Sequence, residues 1–401
     1  MPTTPRPPNA LLLALALSLG AAVAIGVTRF AYGLLLPPMR ADLGWSYTLA
    51  GAMNTANALG YLLGALGAPV AMRYLGPTRL FLLGALLGSV FMGLSGFFTA
   101  PLPLLLQRLL AGIASAFVFV AGGLLAARLA AMQPQRGGLL LGLFYGGSGL
   151  GIVVSALLVP AVLQGAQAQA HGWAWAWWAL ALACFLATAV LAVSSRALQQ
   201  VSDRAESANS EATATPARAF VWRDFAYALA GYGLFGLGYI GYMTFVIALL
   251  REQGAGGAYV TIFYALLGVA VAVSSRVWAR LLDRFKGGQA LAILNALLGV
   301  ATVLPALTSA WPVVIISGVV FGGVFLSVAA STTALVRHNL PPSAWGAGIS
   351  AFTVVFAVGQ MVGPTMVGWI ADGPGGLPRG LIYSAAALWL GAALAWRQRA
   401  L

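Results

Sequence analysis

The chain has few charged residues and very few acids. Only 7% of its 401 residues are charged, and Asp and Glu together number 8 against 21 Lys and Arg. An average soluble domain carries about 25% charged residues. Hydrophobic residues make up 61% of the sequence. So few charges cannot cover a water-facing surface, so the composition excludes a soluble protein and predicts one that is dissolved in the lipid bilayer.

Cysteine and histidine are scarcer still. Cys184 is the single cysteine, which excludes an internal disulfide, and His171 and His338 are the only histidines. Protein zinc sites draw mainly on these two residue types, so we predict no metal and no other cofactor. The net charge of +13 would suggest nucleic-acid binding in a soluble protein. Here the basic residues are spread thinly between apolar runs, and we predict no nucleic-acid partner.

Long apolar runs, by contrast, recur along the whole chain. Each is close to the roughly 20 residues that a helix needs to cross a bilayer, and such runs exclude a β-barrel. The predicted spans 1 to 12 are 10–36, 46–72, 79–99, 102–131, 139–163, 173–195, 224–250, 257–281, 289–309, 312–336, 344–370 and 379–396. The sequence therefore predicts an all-α integral membrane protein. Arg6 and the first run resemble a signal peptide, but the run continues to Leu36, so we expect it to be retained as span 1.

The basic residues also predict the orientation of the chain. With these twelve spans, sixteen Lys and Arg fall on one side of the membrane, and only Arg40, Arg251 and Arg379 fall on the other. The remaining two, Arg29 and Arg108, lie inside spans. Because positively charged loops face the cytoplasm, we predict a multi-pass protein of a bacterial inner membrane with both termini cytoplasmic.

A polar segment divides the chain into two parts. Residues 196–222 are rich in Ala, Ser and Thr, which predicts a flexible cytoplasmic linker. It separates an N-terminal six-helix half, 1–195, from a C-terminal six-helix half, 223–401. The sequences APVAMRYLG (68–76) and ARLLDRFKG (279–287) echo each other 211 residues apart, each in the loop after the second span of its half. This weak repeat favours two pseudo-symmetric halves.

Six plus six helices, a central loop and a basic loop after spans 2 and 8 resemble the major facilitator superfamily (MFS). Its loop signature, Gly-x3-Asp-Arg-x-Gly-Arg-Arg, is matched at its core by Asp283 and Arg284. Arg73 and Gly76 give a partial match in the first half, where Met72 replaces the acid. The resemblance implies that these two loops act in gating.

Further motifs support the resemblance over nearly the whole chain. QRLLAGIASA (107–116) is similar to the Arg-x3-Gly signature of the fourth helix, and GLFYGGSGLGIVVSALLVP (142–160) to the Gly-rich fifth helix. The segments TRFAYGLLLPPM, DLGWS, NALGYLLGAL and GYGLFGLGYIGYMTF look most like the YbfB/YjiJ-like branch. The resemblance implies a secondary transporter that works by alternating access, with its substrate site between the halves at mid-depth.

Arg29 is the most informative residue of span 1. An arginine at mid-span costs about 2.5–3.5 kcal/mol on insertion scales. Gly26, Tyr32 and Gly33 lie on one small or polar face with it, and no acid inside a predicted span offers it a partner. This favours binding of an anion from outside. The alternative is structural, because Arg29 is roughly 10 Å from the predicted outer end of the span and could snorkel to the surface.

A second resemblance bears on the same residue. Arg29 and Pro37 form an Arg-x7-Pro pattern similar to that in the first helix of the glycerol-3-phosphate:phosphate antiporters of the superfamily. In those proteins the matching arginine binds the substrate phosphate, and a second arginine lies in helix 7. The repeat offset places Ile240 there. One cation instead of two favours a monovalent anion, such as a carboxylate, over a phosphate ester.

Other polar and aromatic side chains are predicted to line the site. Arg108 is the second candidate, and its role is open. It either binds substrate or takes part in proton coupling, or it is a structural residue that bonds backbone carbonyls and Gln107. The remaining predicted substrate-binding residues are Tyr32, Asn54, Asn57, Tyr61, Tyr145, Tyr232, Tyr239, Tyr242, Phe356 and Gln360. Aromatic stripes at helical spacing also serve packing, so both roles stay open for these rings.

The leading prediction is thus a secondary transporter for a monovalent organic or inorganic anion bound at Arg29. One alternative is an efflux carrier for neutral or amphipathic compounds in which Arg29 is structural. An alternative of another class is a non-transporting membrane sensor. No catalytic constellation is visible, so we predict no enzyme. The expected partners are a small-molecule substrate, the lipid bilayer and either a proton or a counter-anion, and the expected state is a monomer.

Overall fold

The computed structural model describes residues 9–200, 220–341 and 344–401. Within them, twelve helices are long and apolar enough to cross a membrane, which confirms the predicted all-α fold with twelve spans. They are α1 Ala10–Leu43, α2 Tyr47–Leu75, α3 Pro77–Ser95, α4 Pro101–Ala131, α5 Gly137–Gly165, α6 Trp173–Val193, α7 Ala226–Glu252, α8 Gly257–Val277, α9 Gln289–Leu307, α10 Trp311–Asn339, α11 Trp345–Asp372 and α12 Gly376–Trp396. Arg6 and most of the predicted linker, residues 201–219, lie outside the described residues.

Most predicted spans agree with these helices within a few residues, but α1 is longer than predicted. It continues seven residues past Leu36 to Leu43, with Pro37 and Pro38 inside the helix. Each proline removes one backbone N–H from the helix, but burial of Leu36 and Met39 continues the packing across them. The helix ends at Gly44, whose φ of 64° provides a left-handed cap.

Near its middle, α1 departs from regular α-helical geometry. Residues Ala22–Val27 form a π-helix, followed by a turn over residues 28–31. The N–H of Thr28 donates to the carbonyl of Val23 at 2.9 Å, five residues back, and the Thr28 hydroxyl donates to the same oxygen at 2.6 Å. Such π-segments are rare and are frequent at functional sites. The irregular backbone lies directly before Arg29.

The first six and the last six helices meet along three pairs. Helix α2 packs against α11, α5 against α8, and the second part of α1 against α7. Glycines allow close approach of the backbones: a Cβ on Gly149 of α5 would lie 2.4 Å from the carbonyl oxygen of Gly268 of α8. Small residues at such contacts are typical of helix packing in lipid. These pairs place the helices with polar residues, α1, α2, α5, α7 and α11, around a common centre.

The two ends of the bundle differ in how the halves touch. One end of the bundle carries the loops near residues 76, 133, 285 and 341 and the C-terminus, and we call it the termini side. The opposite end carries the loops near residues 45, 98, 169, 254 and 374, and we call it the far side. On the far side, the Asp372 carboxylate at the end of α11 accepts hydrogen bonds from the start of α2. The donors are the Tyr47 N–H at 2.7 Å, the Thr48 N–H at 2.8 Å and the Thr48 hydroxyl at 2.6 Å.

Two more residues complete this contact. The Tyr47 hydroxyl donates to the carboxylate of Glu252, at the end of α7, and the Arg40 guanidinium carbon lies 3.7 Å from the centre of the Tyr47 ring. We call Arg40, Tyr47, Thr48, Glu252 and Asp372 the far-side latch. Helix N-termini favour negative charge, so the latch joins the halves by a carboxylate of one and a helix start of the other.

Candidate substrate site between the two halves

Arg29 lies deep in the bundle, at the turn that follows the π-helix. Only 5% of its surface is exposed. Because α1 ends at Leu43, fourteen residues further on, Arg29 is about 21 Å from the far-side end of the helix at ~1.5 Å per residue. That is twice the distance expected from the predicted span. The side chain does not snorkel to a surface but points to the contact between the halves.

The partners of Arg29 are neutral and come from both halves. Its Nη2 donates to Oε1 of Gln360 on α11, and the same oxygen accepts the Tyr239 hydroxyl of α7 at 2.6 Å. The guanidinium carbon lies 5.4 Å from the centre of the Tyr61 ring on α2, within reach of a cation–π interaction. Thus the cation contacts the amide oxygen of Gln360 and the face of the Tyr61 ring, and the Tyr239 hydroxyl shares that amide oxygen.

No carboxylate faces this cation among the residues that the structure describes. The described acids lie at helix ends or in loops: Asp42, Asp224, Glu252, Asp283 and Asp372. The other three, Asp203, Glu206 and Glu211, are outside the described ranges. A buried charge without a counter-charge is costly. Among the described residues, only neutral groups compensate the positive charge of Arg29 at the centre of the bundle.

Arg108 on α4 lies beside this site and is bonded to the irregular turn of α1. It is 2% exposed. Its Nη1 donates to the carbonyl of Thr28 at 2.8 Å, and its Nη2 donates to Oδ1 of Asn54 at 3.1 Å. Asn54 in turn donates to the hydroxyl of Thr244 on α7 at 2.8 Å, across the two halves. The predicted bond from Arg108 to a backbone carbonyl is present, whereas no bond to Gln107 is found.

The remaining predicted site residues fall into two groups. The first group lies around Arg29. Tyr61 presents its ring face to Arg29, and Tyr145 lies near Tyr61 and is 41% exposed. The ring of Tyr232 stacks on that of Phe356 with centroids 5.0 Å apart. Together with Gln360, these residues form the candidate substrate site.

The second group is used in packing elsewhere. The Tyr32 hydroxyl donates to the carbonyl of Ala50 at 2.8 Å, and Asn57 donates to the carbonyl of Arg108 at 3.0 Å. The hydroxyl of Tyr242 bonds that of Ser317 at 2.7 Å, within the last six helices. We therefore do not include Tyr32, Asn57 and Tyr242 in the candidate site.

Sequence reasoning missed residues on α8 and α10. Phe325 of α10 stacks on Tyr239 with centroids 6.0 Å apart and 9° between the ring planes, and it meets Phe30 edge to face at 5.8 Å. The Tyr264 hydroxyl of α8 donates to the carbonyl of Phe30 at 2.8 Å. Phe321 and Phe325 are four residues apart in the run FGGVF and so lie on one face of α10. This spacing could have predicted an aromatic face on α10.

The predicted gating loops lie on the termini side. Arg73 is exposed in the last turn of α2, and the N–H of Gly76, with φ 74°, caps that helix by bonding the carbonyl of Met72. Asp283 and Arg284 are exposed in a short helix, Ala279–Arg284. Among the residues that the structure describes, no hydrogen bond or ion pair joins these loops across the halves, so their gating role stays a prediction.

Comparisons with known proteins agree with the fold of twelve membrane-spanning helices. The family model described as "Uncharacterised MFS-type transporter YbfB" matches residues 21–396. A comparison with curated proteins finds no match. Among solved structures, a bacterial homologue of the human lysosomal transporter Spinster, inward-facing and unoccupied, has TM-score 0.71 and 15% identity, covering 97% of this chain and 96% of its own. The nucleoside transporter NupG has TM-score 0.69 and 13% identity, covering 98% of this chain and 100% of its own. At such identities the likeness shows the fold alone.

Proposed function

The chain belongs to the YbfB-type family of MFS transporters, and we propose that it moves a small monovalent anion through a site in which Arg29 binds the charge. Family membership accounts for the twelve spans and for a multi-pass membrane location. We propose three further points: that the substrate is an anion, which side of the membrane the termini face, and that Arg29 binds the substrate. We expect no enzyme activity.

The observation that carries the proposal is the set of neutral partners around Arg29. Gln360 and Tyr239 belong to the last six helices and Tyr61 to the first six. A carboxylate would accept two parallel N–H bonds from the guanidinium, and such charge-assisted bonds are roughly twice as strong as neutral ones. An anion would therefore displace the Gln360 oxygen. Because Gln360 lies on the opposite half, binding would exchange a contact between the halves for a contact to substrate.

This exchange supplies a physical link between binding and alternating access. We propose that the termini side faces the cytoplasm, as the excess of basic residues there indicates. The far-side latch then closes the outer side, and this conformation opens inward. Since no described carboxylate lies at mid-depth, a proton would travel with the anion, or a counter-anion would be exchanged for it. We propose that a monomer carries out the cycle.

One observation favours a second candidate function. Gln360 and the face of Tyr61 already satisfy Arg29 in part, which suits a structural bridge between the halves. In that case the substrate is neutral or amphipathic and lies against the aromatic residues near Tyr239. The two functions differ in what the Arg29 charge does for ligand binding.

A thermal-shift panel on the purified protein in detergent separates them. The ligands are small carboxylates, inorganic anions, organophosphates, neutral sugars and hydrophobic cations. The proteins are wild type, Arg29→Gln and, as a matched control, Arg79→Gln, which removes an exposed arginine. A ligand at 100 times its Kd stabilises by about 2.7 kcal/mol. We expect a monovalent anion to stabilise wild type and Arg79→Gln but not Arg29→Gln. Stabilisation by neutral or cationic compounds that is equal in all three proteins would contradict the proposal.

A further inference from the structure

The last six helices present an array of nearly parallel aromatic rings next to Arg29. We call Tyr232, Phe235, Tyr239, Phe325 and Phe356 the aromatic wall. Phe235 and Tyr239 have centroids 4.8 Å apart with 20° between their planes, and Phe356 lies 5.4 Å from Phe235 at 13° and 5.6 Å from Tyr239 at 17°. Three helices, α7, α10 and α11, thus hold five rings close to one orientation.

Some ring contacts elsewhere also stack, as Phe220 does on Phe225 at 21°, but many are edge to face. Tyr47 and Phe245 meet at 80°, and Phe119 and Tyr145 at 62°. Aromatic pairs in proteins adopt either edge-to-face or offset-stacked geometry, so packing alone does not require one direction for a whole cluster. A set of parallel rings offers its flat faces to a further flat group.

The aromatic wall lies next to the Arg29 cation, because one hydrogen-bond acceptor joins the two. The Tyr239 hydroxyl and the Arg29 guanidinium donate to the same oxygen, Oε1 of Gln360. Phe356 and, from the opposite half, Tyr61 are only partly buried. A ligand that replaces the Gln360 oxygen with its own carboxylate would therefore bring its body against these accessible rings.

We infer that the transported anion is an aromatic monocarboxylate, with its carboxylate on Arg29 and its flat ring against the aromatic wall. This inference rests on the proposed function and adds the chemical class of the substrate body. Offset stacking on Phe356 favours a planar ring over a puckered ring of the same size, since only the planar ring presents a π-face. An aliphatic acid would keep the charge interaction and lose the stacking.

Three probe compounds separate charge from ring. Benzoate has both features, cyclohexanecarboxylate keeps the charge without the planar ring, and benzamide keeps the ring without the charge. Their Kd values are measured by calorimetry on wild type, Phe356→Leu, Phe356→Tyr, Arg29→Gln and Phe185→Leu. Phe185 is an exposed residue of α6 and serves as the matched control. Phe356→Tyr keeps the aromatic ring at this position. Comparing it with Phe356→Leu separates loss of the ring from a general effect of substituting Phe356.

In wild type, Phe185→Leu and Phe356→Tyr we expect benzoate to bind about three- to tenfold more tightly than cyclohexanecarboxylate. In Phe356→Leu the preference should fall below about twofold, while cyclohexanecarboxylate still binds. Equal affinity of the two acids in wild type would overturn the aromatic class and leave the anion site intact. Benzamide binding as tightly as benzoate, unchanged in Arg29→Gln, would instead overturn the anion site. Failure of both acids to bind wild type would overturn both.

Discussion

The substitution Gly51→Ala should force the far side of the protein open. Gly51 of α2 faces α11, where an added Cβ would lie 2.2 Å from the carbonyl oxygen of Pro364 and 2.7 Å from its carbon. Ordinary contact begins at 3.4 Å, so the two backbones would have to separate by more than about 1 Å. No flexible side chain can absorb this, since the atoms in the way belong to the backbone.

The size of the effect follows from the cost of overpacking. Forcing an extra methyl into a tight contact typically costs about 1–3 kcal/mol. This cost falls only on the conformation in which α2 and α11 touch. At 1.4 kcal/mol per factor of ten, the ratio of far-side-open to far-side-closed protein should rise between about fivefold and about 150-fold.

A single-cysteine reporter measures this ratio. Thr55 lies one helical turn after Gly51, and its half-buried side chain bonds the carbonyl of Met361 at 2.7 Å, so separation of α2 from α11 would expose Thr55→Cys further. Cys184 is buried, and Cys184→Ala removes the only native thiol. The rate of maleimide labelling then reports opening.

The matched control is Gly67→Ala, on the same helix, where an added Cβ meets nothing within 4 Å. Both substitutions gain the same helix propensity, about 0.5–1 kcal/mol, so their difference isolates the contact with α11. We expect faster labelling in Gly51→Ala alone, with the fold retained. Equal labelling rates in the two variants would refute the reasoning that this contact closes the far side.

Three further predictions concern the latch and the site. Asp372→Asn removes the charge at the start of α2 and should raise the Thr55→Cys labelling rate about twofold to fivefold; an unchanged rate would show that the charge has no part in closure. Arg108→Lys cannot replace both bonds of the guanidinium and should lower unfolding stability by about 1–3 kcal/mol in thermal unfolding; wild-type stability would contradict a structural role. Tyr239→Phe keeps the ring and removes the bond to Gln360, so calorimetry should find the preference for benzoate over cyclohexanecarboxylate unchanged; its loss would assign the preference to the hydroxyl.

The sequence was sufficient for the spans because apolar runs of membrane length have little competing interpretation. It failed at the end of α1, where the predicted span stops at Leu36 but burial of Met39 continues the helix through Pro37 and Pro38. The π-helix at Ala22–Val27 could not be predicted from hydrophobic periodicity. All six of its residues are buried, so the sequence shows no alternation between buried and exposed positions there. The carbonyl of Thr28 therefore could not be foreseen as the partner of Arg108.

Helical periodicity predicted part of the candidate site, but three of the predicted residues bond elsewhere, Tyr242 among them. Phe356 and Gln360 are four residues apart, and both reach the centre of the bundle. Tyr242 follows Tyr232 by ten residues, so at 3.6 residues per turn it is rotated by about 80° from it. That rotation turns Tyr242 toward Ser317 of α10. Which neighbour a ring meets depends on how the helices pack, and the sequence pattern does not specify this.

Counterflow of labelled benzoate in proteoliposomes measures whether the Arg29 charge is needed for transport. Vesicles loaded with unlabelled benzoate are diluted into labelled benzoate, and the transient accumulation of label is compared among wild type, Arg29→Lys, Arg29→Gln and Arg79→Gln. We predict accumulation in wild type and Arg79→Gln, reduced accumulation in Arg29→Lys, which keeps the charge, and none in Arg29→Gln. Wild-type accumulation in Arg29→Gln would contradict the claim that Arg29 binds the transported anion.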